Sequence, residues 1–284
     1  MPEGDTVLSV ANRLHEVLGG HSLTRVDLRW PSVSVDALNR GVVHDVDAYA
    51  KHLFVRFASG VSLHTHLRMD GVWRVVPTGS REAQASSPTV RAVLATSEWT
   101  CVGYELGMMD IVPTARERDL IAHLGPDILA DQCVPTHLLD QARADPARFL
   151  APRRAHTSLL VSDRDWIEAL SRFAAQPQTR PIGETLLDQS VVSGIGTIFM
   201  AEGLFTHRIS PMRPLADTPL VPLLASIRGH LIRGVVRPVA GRRIHVHSRR
   251  GQPCMRCGTP IARRLVGPPT AQRPAFYCPT CQHR

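Results

Sequence analysis

The sequence predicts a multidomain α+β chain: strand-rich at first, helical in the middle, and closed by a short cysteine-paired segment. Three observations point there. Before residue 130, short runs of alternating apolar side chains follow one another, separated by turn residues. After Leu124-Gly125-Pro126-Asp127 the apolar spacing changes to the three-and-four repeat of helices. From Gly241 the composition turns to arginine, glycine, proline and paired cysteines. The expected domains are therefore 1–130, 131–240 and 241–284.

Taken in order, Asp5 or Thr6 can cap a helix running to about Leu18, with Val7, Val10, Ala11, Leu14 and Val17 on one face. Gly19-Gly20 ends it. Strands are expected at Leu23–Leu28, Val42–Val46, Leu53–Phe57, Val61–His66, Val72–Val76, Val90–Leu94 and Thr100–Tyr104. Their regular spacing argues a sandwich or a barrel. Thr78–Pro88 reads as a mobile surface loop. Helices are expected at Pro135–Leu150, Asp165–Ala175, Pro181–Gln189, Thr197–Phe205 and Pro219–Val236. Between two of them, Gly194 and Gly196 precede the Thr197 helix, so backbone N–H groups and the helix dipole can face an anion.

The chain carries 33 Lys and Arg against 25 Asp and Glu, a net charge of +8, with a pI near 9.8. That excess favours an anionic partner, nucleic acid first. No run of eighteen apolar residues and no charged-then-apolar leader occurs, so a cytoplasmic location is expected rather than a membrane or secreted one; the chain is further expected to be a nucleoid-associated monomer. Lys51, just before a strand, is the single lysine in the sequence and can hold a phosphate.

The residues at the start carry chemistry. If Met1 is removed, Pro2 presents a secondary amine titrating at about 7.7–8.0, against about 10.4 for a lysine. Unprotonated, it can attack a carbonyl-level carbon and form a charged iminium. Glu3 is next to it as proton donor and acceptor. His64 and His66 share a strand face without a third metal ligand in view, so buried or hydrogen-bonded imidazoles are expected. Arg68 and Met69 lie on a turn, where a long apolar side chain can wedge into a base stack. Near the end, Cys254-x2-Cys257, twenty residues, then Cys278-x2-Cys281 is a tetrathiolate pattern for one structural Zn2+. A basic hairpin with Arg263, Arg264 and Arg273 is expected between the two pairs, and reads as a nucleic-acid finger.

Together these residues resemble the formamidopyrimidine-DNA glycosylase/endonuclease VIII family, most closely its actinobacterial endonuclease VIII branch. The resemblance rests on Pro2-Glu3-Gly4, AKHLF around Lys51, HLRMDG at 66–71, Leu186 to Glu202 (LLDQ, GIG and the final Glu), and the finger from Arg273 to Gln282. It implies an N-terminal β-sandwich, a helix–two-turn–helix domain with a zinc finger, and DNA held between them with the damaged nucleotide flipped out. By that resemblance Pro2 is the nucleophile at C1′ and Glu3 the acid/base. Lys51 and Arg273 grip phosphates, and Met69 fills the gap in the stack. Arg68, Gly194, Gly196, Thr197, Arg249, Arg263 and Arg264 contact DNA. The implied activity is removal of oxidised bases, pyrimidines favoured, followed by β,δ-elimination of the abasic site. The alternative is a damaged- or single-stranded-DNA-binding protein of the same fold with weak or lost catalysis. The chain departs from the family pattern at Thr197, where Asn is usual, at Thr6, at Pro274-Ala275, and at His247-Ser248-Arg249. No Arg-Phe pair near Gly103–Ile111 stands ready to support Met69.

Overall fold

The computed structural model describes residues 2–31, 34, 36, 38, 41–129, 164–236 and 243–283. The described residues fall into two compact units, one ending at His123 and the other beginning at Leu124. The helix expected at 135–150 lies outside the described residues.

The first unit opens with helix α1 (Gly4–Leu18), which begins one residue before the expected cap, with Glu3 in extended conformation as its N-cap. Val7, Ala11, Leu14, Val17 and Leu18 form its buried stripe, the spacing that a helix lying on a sheet requires. The strands then form two four-stranded antiparallel sheets. One has the order β1 (Arg25–Leu28), β6 (Val90–Ala95), β7 (Trp99–Tyr104), β5 (Val72–Pro77). The other runs β2 (Val43–Tyr49), β3 (His52–Phe57), β4 (Val61–His66), β8 (Met108–Pro113). Val46, Leu53, Val55 and Leu63 from the second sheet share one core with Trp73, Ala92, Leu94 and Cys101 from the first, and with the stripe of α1. This is a β-sandwich with α1 packed into its core.

Strand β8 was not among the expected strands. It pairs with β4 from His66↔Met108 to Val61↔Pro113 and completes the second sheet, although its MMDIVP run shows little polar alternation. The Thr78–Pro88 stretch is not a loose loop. Ala83 and Ala85 are buried, and Arg25 Nη1 donates to the Ala83 carbonyl at 3.0 Å, so two small apolar side chains tie it down. Helix α2 (Glu117–Ile121) is anchored by charge. Arg56 of β3 donates to Glu117 at 3.0 Å and to Asp45 at 2.6 Å, and the Ser62 hydroxyl donates to Glu117 as well. Burial works against the Arg56 charge, but Glu117, Asp47 and Asp45 more than offset it and raise the guanidinium pKa.

The second unit contains α3 (Arg164–Ala174), α4 (Ile182–Leu187), α5 (Thr197–Thr206) and α6 (Leu220–Val236), followed by the hairpin β9 (Ala262–Val266) and β10 (Arg273–Tyr277). Helix α5 is apolar almost all round, as a central helix must be. Its Ala201 and Phe205 form a common core with Val246, Ile261, Cys254 and Cys278, so the cysteine segment is packed directly on a helix.

Candidate nucleic-acid interface and metal centre

In the first unit, Pro2 is half-buried and sits directly before the N-terminus of α1. The Glu3 carbonyl accepts the Thr6 and Val7 N–H groups at 3.0 and 3.2 Å, and the residue is 1% exposed. A carboxylate at this end of a helix is favoured by the macrodipole. The pair Pro2-Glu3 therefore stands at the start of a helix whose apolar stripe is buried in the sandwich core.

Lys51 occupies the turn between β2 and β3, next to Ala50, whose φ is 53°. Behind this turn lies a group of imidazoles. His52 Nδ1 and His64 Nε2 are 2.8 Å apart, the rings stack, and His66 meets His52 edge-on. Asp110 lies 3.4 Å from His64 Nδ1, near enough for charge attraction but not aligned as a hydrogen bond. Burial, followed by the neighbouring His64, pushes the His52 pKa down to about 3. Burial and the cations Arg68 and Lys51 push His66 down to about 4. His64 is lowered too, chiefly by burial. These rings are neutral at pH 7, which leaves Lys51 and Arg68 as the cations of this face. The expectation of hydrogen-bonded imidazoles holds for His64 and His66, the latter accepting the Arg68 N–H at Nδ1.

The turn after β4 presents Arg68, Met69 and Asp70 to solvent, and Met69 is 59% exposed. The Gly71 N–H closes the turn on the Leu67 carbonyl at 2.9 Å.

In the second unit, α4 and α5 are joined through Gly194-Ile195-Gly196. Gly194 takes a φ of 96°, a conformation costly for other residues, and Gly196 is the N-cap of α5. Gln189 staples this loop. Its amide donates to the Leu187 and Ile195 carbonyls at 3.1 and 2.9 Å, and its oxygen accepts the Gly194 N–H at 3.2 Å. Thr197, at the first turn of α5, is 3% exposed, with Oγ1 3.3 Å from His247 Nε2. Burial lowers the His247 pKa although Glu202 opposes it, so this contact is between neutral groups.

Glu202 of α5 holds the segment leading to the cysteines. Its two oxygens accept the N–H groups of His245, Val246 and His247 at 2.9–3.0 Å, and the His245 ring lies 2.9 Å away. Arg249 wraps the next turn, donating to Gln252, the His245 carbonyl and the Pro253 carbonyl. Arg263 and Arg264 on β9 and Arg273 on β10 are exposed.

The sulfurs of Cys254, Cys257, Cys278 and Cys281 all lie within 4.8 Å of one another, with Cys257–Cys278 at 3.5 Å and Cys254–Cys281 at 4.0 Å. Four thiolates at about 2.3 Å from a tetrahedral ion would be about 3.8 Å apart, so the donor set fits a closed metal site. Thr259 lowers the Cys257 pKa to about 6, whereas burial and the neighbouring thiols push Cys281 up to about 12. One thiolate forms readily and then opposes ionisation of the others; a divalent cation removes that opposition. The Arg256 and Cys281 N–H groups each point at a sulfur, at 3.4 Å. Gln282, 2% exposed, closes the end of the segment by accepting the Cys278 N–H and donating to the Ile209 carbonyl, each at 2.8 Å.

Gln189 and Glu202 stand inside the quoted sequence motif but had no role assigned, and Gln282 had none either. The signal for Glu202 was present: a lone acid in the apolar helix TIFMAEGLFT must have buried partners. Among the described residues, no helix is long and apolar enough to cross a membrane.

Comparison with known proteins agrees with this layout. The formamidopyrimidine-DNA glycosylase N-terminal domain matches residues 1–111, and the H2TH domain of the same enzymes matches residues 163–220. The chain is 36% identical to "Probable endonuclease 8 2" of Streptomyces coelicolor, over 99% of this chain and 94% of that protein. It is 31% identical to a DNA-(apurinic or apyrimidinic site) lyase of Mycolicibacterium smegmatis, over 99% of both. In fold it is similar to the Lactococcus lactis Fpg crystallised with oxidized-pyrimidine-containing DNA, with a TM-score of 0.71, 18% identity and full coverage of both chains. The chain belongs to the formamidopyrimidine-DNA glycosylase/endonuclease VIII family.

Proposed function

We propose that the protein is a bifunctional DNA glycosylase and abasic-site lyase of base-excision repair, acting on oxidised bases with pyrimidines favoured. The observation that carries the reading is the mounting of Pro2 and the buried Glu3 at the start of a helix whose apolar stripe is buried in the sandwich core. The Pro2 nitrogen, freed by removal of Met1, attacks C1′ of a flipped-out nucleotide. Glu3 protonates the sugar ring oxygen as the ring opens, and the base leaves with a proton. The resulting iminium draws electrons from C2′, so loss of the C2′ proton expels the 3′ phosphate. A second elimination expels the 5′ phosphate, and hydrolysis returns the amine.

Lys51 and Arg273 hold the phosphates beside the lesion, and Met69 takes the space that the flipped base leaves. Thr197, with the Gly194–Gly196 amides, contacts the backbone; Arg263 and Arg264 extend the positive surface. Arg249 orders the loop before the finger through its three contacts. The four-cysteine site takes Zn2+, which supplies folding energy and no chemistry, because four sulfurs leave no coordination position open.

Borohydride reduction on an abasic-site oligonucleotide tests the reading. A covalent protein–DNA adduct mapping to Pro2 is expected. Tight binding without any adduct or strand scission would instead support a binding protein of this fold.

A further inference from the structure

We propose that Ser248, His247 and Thr197 form one relay, in which the imidazole frees the Thr197 hydroxyl proton for a backbone phosphate of DNA. The inference rests on the repair reading above, in which Thr197 contacts the backbone; what it adds is a positioning role for His247. Two departures from the family pattern, 50 residues apart in sequence, meet here, with Thr197 Oγ1 3.3 Å from His247 Nε2. Thr197 opens α5 directly after the Gly194–Gly196 loop, and His247 lies in the segment that leads to the cysteines.

The ring is held from several directions. Its backbone N–H donates to Glu202 Oε1 at 3.0 Å, and Phe276 of β10 meets it edge-on with centroids 5.3 Å apart. Ser248 Oγ lies 3.2 Å from His247 Nδ1. Ser248 has a φ of 56°, a left-handed conformation that favours glycine. Strain of this kind persists where a side chain is used, and this hydroxyl meets the ring.

Counting protons gives the direction of the relay. A neutral imidazole has one N–H and one acceptor nitrogen, and a hydroxyl has one proton and two lone pairs. In one arrangement Ser248 donates to Nδ1 and the Nε2–H donates to Thr197 Oγ1, so the threonine proton stays available. In the other, Thr197 donates to Nε2 and the Nδ1–H donates to Ser248, which leaves the threonine only lone pairs to offer. A phosphate oxygen is an anionic acceptor and repels lone pairs, so its arrival selects the first arrangement. Thr197 is 3% exposed, and its hydroxyl has no second hydrogen-bond partner among the described residues, so the choice falls to the ring. His247 thereby turns a threonine into a donor.

The test is affinity for a duplex carrying a tetrahydrofuran abasic analogue, by anisotropy at fixed salt, with zinc content and melting midpoint recorded for each variant. Two substitutions separate donation from packing. His247→Phe keeps a ring and removes the N–H, whereas His247→Gln removes the ring and keeps an amide donor near the Nε2 position. His247→Phe should weaken binding by about tenfold, as should Thr197→Val, while His247→Gln should stay within about threefold of the parent. The two tenfold losses should not multiply in the double variant, because both remove the same contact. Beside Thr197→Asn, whose amide brings its own donor, His247→Phe should cost less than about threefold. Weaker binding by His247→Gln than by His247→Phe, multiplying losses, or a His247→Phe loss unchanged beside Thr197→Asn would overturn the relay. Thr197→Val at parental affinity overturns it whatever the His247 variants do. A parent protein that neither binds DNA nor forms the borohydride adduct would overturn the repair reading itself, and the relay with it.

Discussion

Glu3 shows how much one position carries: its carbonyl starts α1, and the residue is buried directly after Pro2. Glu3→Gln keeps the shape and removes the proton chemistry, so base release should slow by about 10²–10⁴-fold. Single-turnover measurement on a base-containing duplex checks this; a rate within a factor of a few of the parent would show that the acid lies elsewhere. Glu202 is the structural counterpart. It satisfies three N–H groups at once, and Glu202→Gln retains its size while losing a charged acceptor. The expected cost is about 1–3 kcal/mol, read as a lower denaturation midpoint of the second unit. The helix that starts at Glu3 and the grouping of the four cysteines were legible because their signals are written in short stretches of sequence. Glu202 and Gln282 were not, because their partners lie 43–45 and 73 residues away for the contacts that matter.

At the scale of elements, the cysteine segment is packed on α5, with its four sulfurs grouped closely enough to hold one ion. Its sulfurs help form the same core as Ala201 and Phe205, so losing the metal should loosen the hairpin that carries Arg263, Arg264 and Arg273. Cys278→Ser is expected to abolish stoichiometric zinc and to weaken DNA binding by tenfold or more, on the order of the 1.4 kcal/mol that a tenfold change represents. Metal analysis with a binding titration decides it, and a zinc-free parent of full affinity would refute the assignment. The hairpin was readable because cysteine spacing fixes both its ends. Strand β8 was not, since a half-buried edge strand needs no strict alternation and its pairing with β4 is set by tertiary contact. The 78–88 stretch misled for a related reason: its polar composition suggests a loop, but the burial of Ala83 and Ala85 decides its state.

Across the whole molecule, charge and protonation set the conditions under which it works. With a net charge of +8 and exposed arginines on the finger, DNA affinity should fall steeply with salt, by tenfold or more between about 50 and 200 mM. A flat response in a binding titration would exclude phosphate neutralisation as the driving force. The imidazole group behind Lys51 predicts a pH response of the first unit. His52 and His66 are depressed from 6.5 to about 3 and about 4, so between those values and 6.5 the unfolded chain holds more protons than the folded one. Their contribution to stability is complete above pH 6.5 and is lost progressively as pH falls towards 3. Thermal melts should show a lower midpoint at pH 5 than at pH 7, and His52→Gln should flatten that difference. The architecture was largely visible from composition and periodicity, because each domain changes texture. The imidazole packing was not, since strand pairing brings His52 and His66 opposite one another.

The turn between β2 and β3 has one more consequence, for chemical proteomics. Because Lys51 is the chain's single ε-amine, an acylating reagent can mark only that turn and the amino terminus. If Lys51 grips a phosphate as proposed, its protection from acetylation would report occupancy directly, without any engineered probe. A protease specific for lysine would divide the polypeptide once, leaving both amines on the short fragment and the sulfur-rich finger on the long one.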